Sequence, residues 1–222
     1  MSGYFVTATG TDIGKTFVTA GLIRRLRANG YLVSALKPVV SGFQMETAAA
    51  SDPGQLLAAL GEPITPETIA RLSPWRFAAP LSPDMAAARE GREIPFDDMV
   101  GFCRRAVAEA QGPLLIEGVG GVMVPLDARH TVLDWMSDLG LPVIVVTGSY
   151  LGTISHTLTA LAVLRQRGLA LAALVINDTG QSPVPLADTA AAIRRFAGDV
   201  PIVTMARDAA DDDFTALAAR LS

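Results

Sequence analysis

Residues 8–16 read Ala-Thr-Gly-Thr-Asp-Ile-Gly-Lys-Thr and follow directly on the apolar run Tyr4-Phe5-Val6-Thr7. An apolar strand feeds a glycine-containing turn, and Gly14-Lys15-Thr16 then opens a stretch with helical periodicity to Ala28. That order is what a phosphate cradle requires. Free backbone N–H groups at a helix N-terminus face an anion, and about half a positive elementary charge from the helix dipole adds to their pull. Lys15 would reach the β- and γ-phosphates of a nucleotide, and the Thr16 hydroxyl would ligate Mg²⁺. The strict phosphate-loop pattern asks for glycine at position 9, where this chain has Thr9. The expected nucleotide contacts along this segment are Asp12, Ile13, Gly14, Lys15, Thr16 and Phe17.

Four further signals close or follow apolar runs. Lys37 ends the run that starts at Leu32 and is followed by Pro38-Val39-Val40-Ser41-Gly42. A lysine there either snorkels to solvent or contacts an anion, and a neighbouring phosphate site favours the anion. Leu114-Leu115-Ile116 runs into Glu117-Gly118-Val119-Gly120-Gly121. A carboxylate at a strand end, followed by glycines that admit close backbone approach, suits Mg²⁺, which takes oxygen ligands at roughly 2.0–2.1 Å. Met123 occupies the place of the last glycine in a dinucleotide fingerprint, so that reading is set aside. Asp52, in Ser51-Asp52-Pro53, reads either as a helix N-cap before a first-turn proline or as a second metal carboxylate. Asn177 closes Val175-Ile176 and either offers a donor and an acceptor to an adenine edge or starts a turn.

Leu151-Gly152-Thr153-Ile154-Ser155-His156 begins another helix, whose free N–H groups form a second anion-binding end. His130 and His156 lack the spacing of a zinc site, and Cys103 lies mid-helix with no base near it in sequence. All three read as structural, and Trp75 and Trp135 as core or interface.

These groups need elements to hold them. Short β-branched runs at 4–8, 32–37, 113–117, 142–147, 171–177 and 200–204 alternate with helix-periodic stretches at 15–29, 53–60, 95–111, 131–139, 153–167, 185–197 and 211–221. Strands apolar on both faces, such as Val143-Ile144-Val145-Val146, belong in a covered parallel sheet. The alternation predicts an α/β, doubly wound, mostly parallel sheet of P-loop NTPase-like type with helices on both faces. Ligands gather at the carboxyl ends of such strands, where the polar signals fall. The 222 residues are expected to form one domain over 1–222, with the proline-rich stretch 63–95 an excursion within it. A net charge of −4 gives no sign of a nucleic-acid-binding surface. A single cysteine excludes an intrachain disulfide and favours a reducing compartment. No basic leader or run of about 20 apolar residues is present. The expectation is a soluble, cytoplasmic protein that binds neither membrane nor nucleic acid.

Taken together, the segments resemble the dethiobiotin synthetase family, ATP-dependent carboxylases that close the ureido ring in biotin synthesis. The resemblance rests on Thr11-Asp12-Ile13-Gly14-Lys15-Thr16, Lys37-Pro38-Val39-Val40-Ser41-Gly42, Ser51-Asp52, Leu81-Ser82-Pro83, Glu117-Gly118-Val119-Gly120-Gly121, Leu151-Gly152 with His156, and Val175-Ile176-Asn177-Asp178. It implies that Lys15 and Lys37 flank the transferred phosphoryl group, with Thr11 and Asp12 lining the active site. Thr16, Asp52 and Glu117 would hold Mg²⁺, Ser41 would position the substrate, and Asn177 would read adenine. The implied substrates are ATP, CO₂ or bicarbonate, and 7,8-diaminononanoate. The family is a homodimer, and Gly152, Thr153, Ile154 and Ser155 would offer N–H groups to the substrate carboxylate across its interface. The chain departs from the family at Ala8, Asp12 and Tyr150, where Gly, Glu and Lys are usual, and no Gly-x-x-Pro segment is recognisable after Pro201. A ParA/MinD-like switch ATPase is the alternative, opposed by Thr9-Gly10 where such proteins carry a signature lysine.

Overall fold

The structure, a computed structural model, describes residues 3–180 and 182–221. Its strands are β1 (Gly3–Ala8), β2 (Ser34–Leu36), β3 (Val39–Ser41), β4 (Trp75–Phe77), β5 (Leu114–Glu117), β6 (Val143–Gly148), β7 (Leu171–Asn177) and β8 (Ile202–Met205). The helices are α1 (Lys15–Ala28), α2 (Asp52–Leu60), α3 (Pro66–Leu72), α4 (Pro83–Arg89), α5 (Phe96–Glu109), α6 (Val132–Leu139), α7 (Thr153–Gln166), α8 (Leu186–Arg194) and α9 (Thr215–Ala218). Six strands form one sheet in the order β2-β5-β1-β6-β7-β8, every pair parallel. This is the doubly wound architecture expected. The chain starts at the centre, winds out to β2, returns through β5, and then crosses to β6 on the other side of β1.

Period-two side-chain alternation splits the core between the two faces. Phe5, Ile116, Val145 and Leu174 point to one face, where they meet Met99 and Cys103 of α5, Trp135 of α6 and Leu161 of α7. Val6, Leu115, Ile144 and Val175 point to the other, against Val18, Leu22 and Leu26 of α1 and Leu56 and Leu57 of α2. The Phe5 and Trp135 rings meet edge to face at 4.8 Å. Each fully buried large apolar side chain contributes about 1.5–3 kcal/mol, and the edge-to-face pair adds roughly 0.5–1.5 kcal/mol.

Two segments depart from the sequence expectation. The strand expected over 32–37 is three residues long, and Lys37 lies just beyond it. Pro38 cannot donate to a ladder and turns the chain aside, so Val39 and Val40 pair instead with Trp75 and Arg76 in a separate two-stranded parallel sheet. The proline-rich excursion is therefore ordered, contributing α3, β4 and α4. The helix expected over 211–221 is a 3₁₀ turn, Asp211–Phe214, followed by α9, and the Asp213 carboxylate accepts the Ala210 N–H at 2.8 Å at its start.

Cys103 is buried, and burial pushes its thiol up to about 12. Native protein should therefore resist thiol alkylation at pH 8 and react only once unfolded. Mass spectrometry after a timed iodoacetamide pulse checks this.

Candidate active site

The phosphate loop is shaped by backbone conformation. Gly14 sits at φ 93°, ψ 26° ahead of α1, and Asp12, at φ 57°, is the one non-glycine residue with positive φ among the described residues. Left-handed backbone costs a non-glycine residue about 1–2 kcal/mol, so Asp12 marks a turn held in place by its surroundings. The first turn of α1 has no side-chain cap and no acidic residue. Its N–H groups are thus left for an incoming anion, at the cost of the stability a cap gives, typically about 1 kcal/mol.

Sheet order brings the other groups to this loop. Because β5 lies between β2 and β1, the carboxyl end of β2 delivers Lys37 beside Glu117, which ends β5, and Glu117 faces the start of α1. Lys37 Nζ donates to Glu117 Oε1 and to the Gly118 carbonyl, both at 2.7 Å, and lies 3.0 Å from Asp52 Oδ2. All three N–H bonds of the ammonium are engaged. Thr16 Oγ1 donates to Glu117 Oε1 at 2.8 Å. Lys37 is 2% exposed and Glu117 wholly buried, whereas Asp52 is 40% exposed at the cavity wall. Burial alone would pull the Lys37 ammonium down. The Glu117 and Asp52 carboxylates outweigh it and hold Lys37 above the ordinary lysine value. Burial would likewise raise Asp52, but Lys37, with help from Thr16 and Lys15, holds its carboxyl below the usual range. Lys15 differs. Burial and the nearby Lys37 charge bring it down to about 8, against the pull of Glu117, Asp52 and Asp12. Its ammonium folds back on the loop, 3.3 Å from the Gly10 carbonyl.

The sequence left Asp52 open between cap and ligand. In the structure Ser51 caps α2, its Oγ accepting the Gly54 N–H at 3.3 Å. Asp52 is the first helical residue, and its carboxylate is released to Lys37. Glu117 Oε2 is buried with no hydrogen-bond partner. Leaving a charged acceptor bare in the interior costs on the order of 1–3 kcal/mol or more, and a cation would remove that cost. Two carboxylates and a hydroxyl are hard oxygen donors, the chemistry Mg²⁺ selects. The residues present fit that ion.

Above these groups opens a cavity of about 800 Å³. Thr11, Asp12, Gly14, Lys15, Thr16, Phe17, Lys37, Ser41 and Asp52 line it, whereas Ile13, Glu117 and Asn177 do not. Sequence reading missed Gln55, which stands three residues after Asp52 and hence on the same face of α2, a spacing that could have revealed it. It also gave no lining role to Pro80–Pro83, or to Val119, Gly120 and Val124, which line the cavity too.

Asn177 lies to one side of the loop. Its Nδ2 donates to the Ile13 carbonyl at 3.0 Å, while Oδ1 is buried and without a partner. Gly152, Thr153, Ile154 and Ser155 do not line the cavity of their own chain. Thr153 is buried, Ile154 and Ser155 point outward, and the neighbouring Leu151 is 86% exposed. Tyr150 Oη is hydrogen-bonded to His156 Nδ1 at 2.9 Å. His130 stacks on Phe96 at 3.9 Å and bonds Asp127, a structural role.

A doubly wound parallel sheet whose first strand runs into a lysine-bearing, glycine-turned helix start defines a P-loop nucleotide-binding protein. A family model described as an AAA domain matches residues 2–205. A cell-division ATPase MinD from Pyrococcus furiosus superposes with a TM-score of 0.55, covering 94% of this chain and 84% of that one, at 17% identity. That likeness is one of fold. The ATP-dependent dethiobiotin synthetase of Acidiphilium cryptum is 54% identical over 90% of this chain and 91% of its own length. The same enzyme of Methylobacterium nodulans is 52% identical over 93% and 94%. The chain belongs to the family of ATP-dependent dethiobiotin synthetases and is, like them, an ATP-dependent ligase. Among the described residues no helix is long and apolar enough to cross a membrane.

Proposed function

We propose that this chain catalyses the carboxylation and ring closure of 7,8-diaminononanoate with CO₂ and ATP, giving dethiobiotin, ADP and phosphate. The observation that carries the reading is the meeting of Lys15, Lys37, Thr16 and Asp52 on the lining of one cavity, with buried Glu117 bonded to both Lys37 and Thr16, in a chain half identical to synthetases of that name. One amine of the substrate takes up CO₂ as a carbamate. A carbamate oxygen attacks the γ-phosphorus of ATP, releasing ADP and forming a carbamic–phosphoric anhydride. The second amine then attacks the carbonyl carbon, phosphate leaves, and the cyclic urea closes.

No side chain need act as nucleophile. The protein's task is to position reactants and oppose developing charge. The α1 N–H groups and Lys15 would grip the triphosphate. Lys37 would face the transferring phosphoryl oxygens, giving up its half-exposed partner Asp52 to do so. Thr16, Asp52 and Glu117 would hold Mg²⁺, which when bound supplies positive charge to the phosphate oxygens. Thr11 and Ser41 would orient the diamine. The unpartnered Asn177 Oδ1 would accept from an exocyclic amine of adenine, and Val119 and Val124 would exclude water from the cavity. In a homodimer, the first turn of α7, Gly152 to Ser155, would meet the carboxylate of substrate bound to the partner subunit. A cytoplasmic location accords with the free thiol.

The test is phosphate release by purified protein. It should require ATP, Mg²⁺, bicarbonate and the diamine together, with dethiobiotin formed in equal amount. Brisk hydrolysis without diamine, or none with it, overturns the reading.

The low Lys15 value makes nucleotide binding depend on pH. Phosphates beside the ammonium raise its pKa in the complex, so the free protein loses this proton first. Below pH 8 the charge is already present and affinity is flat. Above pH 8 binding must take up a proton, and Kd rises by up to about tenfold per pH unit until the bound value is reached. Calorimetric titration with a non-hydrolysable ATP analogue at pH 7 and pH 9, in buffers of different ionisation heat, should show weaker binding and proton uptake at the higher pH.

A further inference from the structure

Thr147, the fifth residue of β6, is wholly buried, and its Oγ1 meets three other hydroxyls. Thr9 Oγ1 lies at 3.0 Å, Thr153 Oγ1 at 3.0 Å and Thr157 Oγ1 at 2.8 Å. Thr153 and Thr157 are buried as well. Proton counting fixes the direction of every bond. A hydroxyl has one proton and two lone pairs. Thr153 donates its proton to the Gly148 carbonyl at 2.5 Å, so towards Thr147 it can only accept. Thr147 therefore donates to Thr153, which uses its one proton. Thr9 and Thr157 must both donate to Thr147, filling its two lone pairs. Thr147 is saturated, and no other orientation satisfies the group.

The cluster joins two elements that share no other side-chain link described above. Thr9 enters the phosphate loop directly after β1, with its N–H on the Val146 carbonyl at 3.0 Å. Thr153 and Thr157 sit one turn apart at the start of α7. We infer that Thr147 is a positioning residue that clamps the entry of the phosphate loop to the first turn of α7, so that nucleotide in the loop restrains the α7 N-terminus. This rests on the reading of residues 9–17 as the nucleotide cradle. It adds to that reading a coupling between the cradle and the helix end assigned above to the substrate carboxylate of the partner subunit. Low dielectric around the buried hydroxyls strengthens each bond, and a fully satisfied network rigidifies what it joins.

Hydrogen exchange followed by mass spectrometry tests the clamp, with the full-length protein and a non-hydrolysable ATP analogue with Mg²⁺. In the parent, nucleotide should slow exchange in the peptide carrying Thr153 to Ala160 by about tenfold, within the range of ordinary coupling between sites, as well as in the loop itself. Thr147→Val keeps the side-chain shape but removes the proton and both lone pairs. It should leave nucleotide-dependent protection of the loop in place and abolish that of the α7 peptide. Thr147→Ser, which retains the hydroxyl, should restore it. A merely structural role would lower the melting temperature of the valine variant and leave the nucleotide-dependent difference in α7 intact, and that outcome overturns the inference. Absence of protection in the loop of the parent protein would instead remove the cradle reading on which it stands.

Discussion

A Lys37→Ala variant is expected to turn over about a thousandfold more slowly than the parent while binding nucleotide within about threefold of it. The asymmetry follows from where each charge is held. Lys15 and the uncapped first turn of α1 belong to the loop itself and bind the ground-state triphosphate. Lys37 comes from the end of another strand, is aimed by Glu117 and the Gly118 carbonyl, and faces the place where charge develops on the transferring phosphoryl group. A donor realised mainly in the transition state lowers kcat when removed, by about 10²–10³-fold for one oriented group. Stability changes too. Without the ammonium, Glu117 stays buried with Thr16 as its one donor and Oε2 still bare. Removing one member of a buried ion pair costs about 3–5 kcal/mol, so alanine at this position should lower the melting temperature. Lys37→Gln separates the two effects. Its amide can still donate to Glu117 and recover part of the stability, but it carries no charge and should not recover turnover. Steady-state phosphate release and calorimetric binding on the folded glutamine variant decide the matter. Equal losses in kcat and in nucleotide affinity would refute the role given to Lys37.

What the sequence disclosed, it disclosed where the signal is contiguous. The passage from Tyr4 to Ala28 carries strand, turn and helix in one unbroken stretch, so the loop could be read without knowing its neighbours. Lys37 and Glu117 were legible for a different reason. Each closes an apolar run, parallel strands place such ends on one edge, and the sheet order then sets them side by side. Asp52 shows where this reasoning stops. Locally, Ser51 and Asp52 are both good caps, and the choice between them is made by Lys37, fifteen residues away in sequence and 3.0 Å away in space. The elements between 63 and 95 were hidden because α3 and α4 are seven residues each and β4 is three, too short to show a period. Their prolines mark helix starts rather than a loop, since Pro66 and Pro83 each open a helix, where a missing N–H costs nothing. Thr147 was illegible in principle. A threonine in a strand is what β propensity alone would place there, and its three hydroxyl partners come from the phosphate loop and from α7.

Gly14→Ala is expected to weaken nucleotide binding by about a hundredfold or more, whereas Gly10→Ala, four residues earlier in the same loop, should change it less than about threefold. Composition cannot distinguish the two glycines, but geometry does. A Cβ on Gly10 would meet nothing within 4 Å. A Cβ on Gly14 would stand 2.2 Å from Asn177 Nδ2, at φ 93°, where a non-glycine residue already carries about 1–2 kcal/mol of strain. Relief would require Asn177 to leave the Ile13 carbonyl, or the loop to shift away from β7. Either movement displaces the N–H groups of α1, and misplacement of about 1 Å is worth on the order of a hundredfold where several donors must converge. Asn177 also serves as the witness to the mechanism. If the loss arises from the clash, Asn177→Ala in the Gly14→Ala background should recover much of the melting temperature, since the obstructing amide is gone, and the two substitutions should be strongly non-additive. Nucleotide affinity should recover less, because the left-handed strain at residue 14 remains. Simple additivity of the two losses in thermal unfolding would show that the contact between Asn177 and residue 14 does not set the loop.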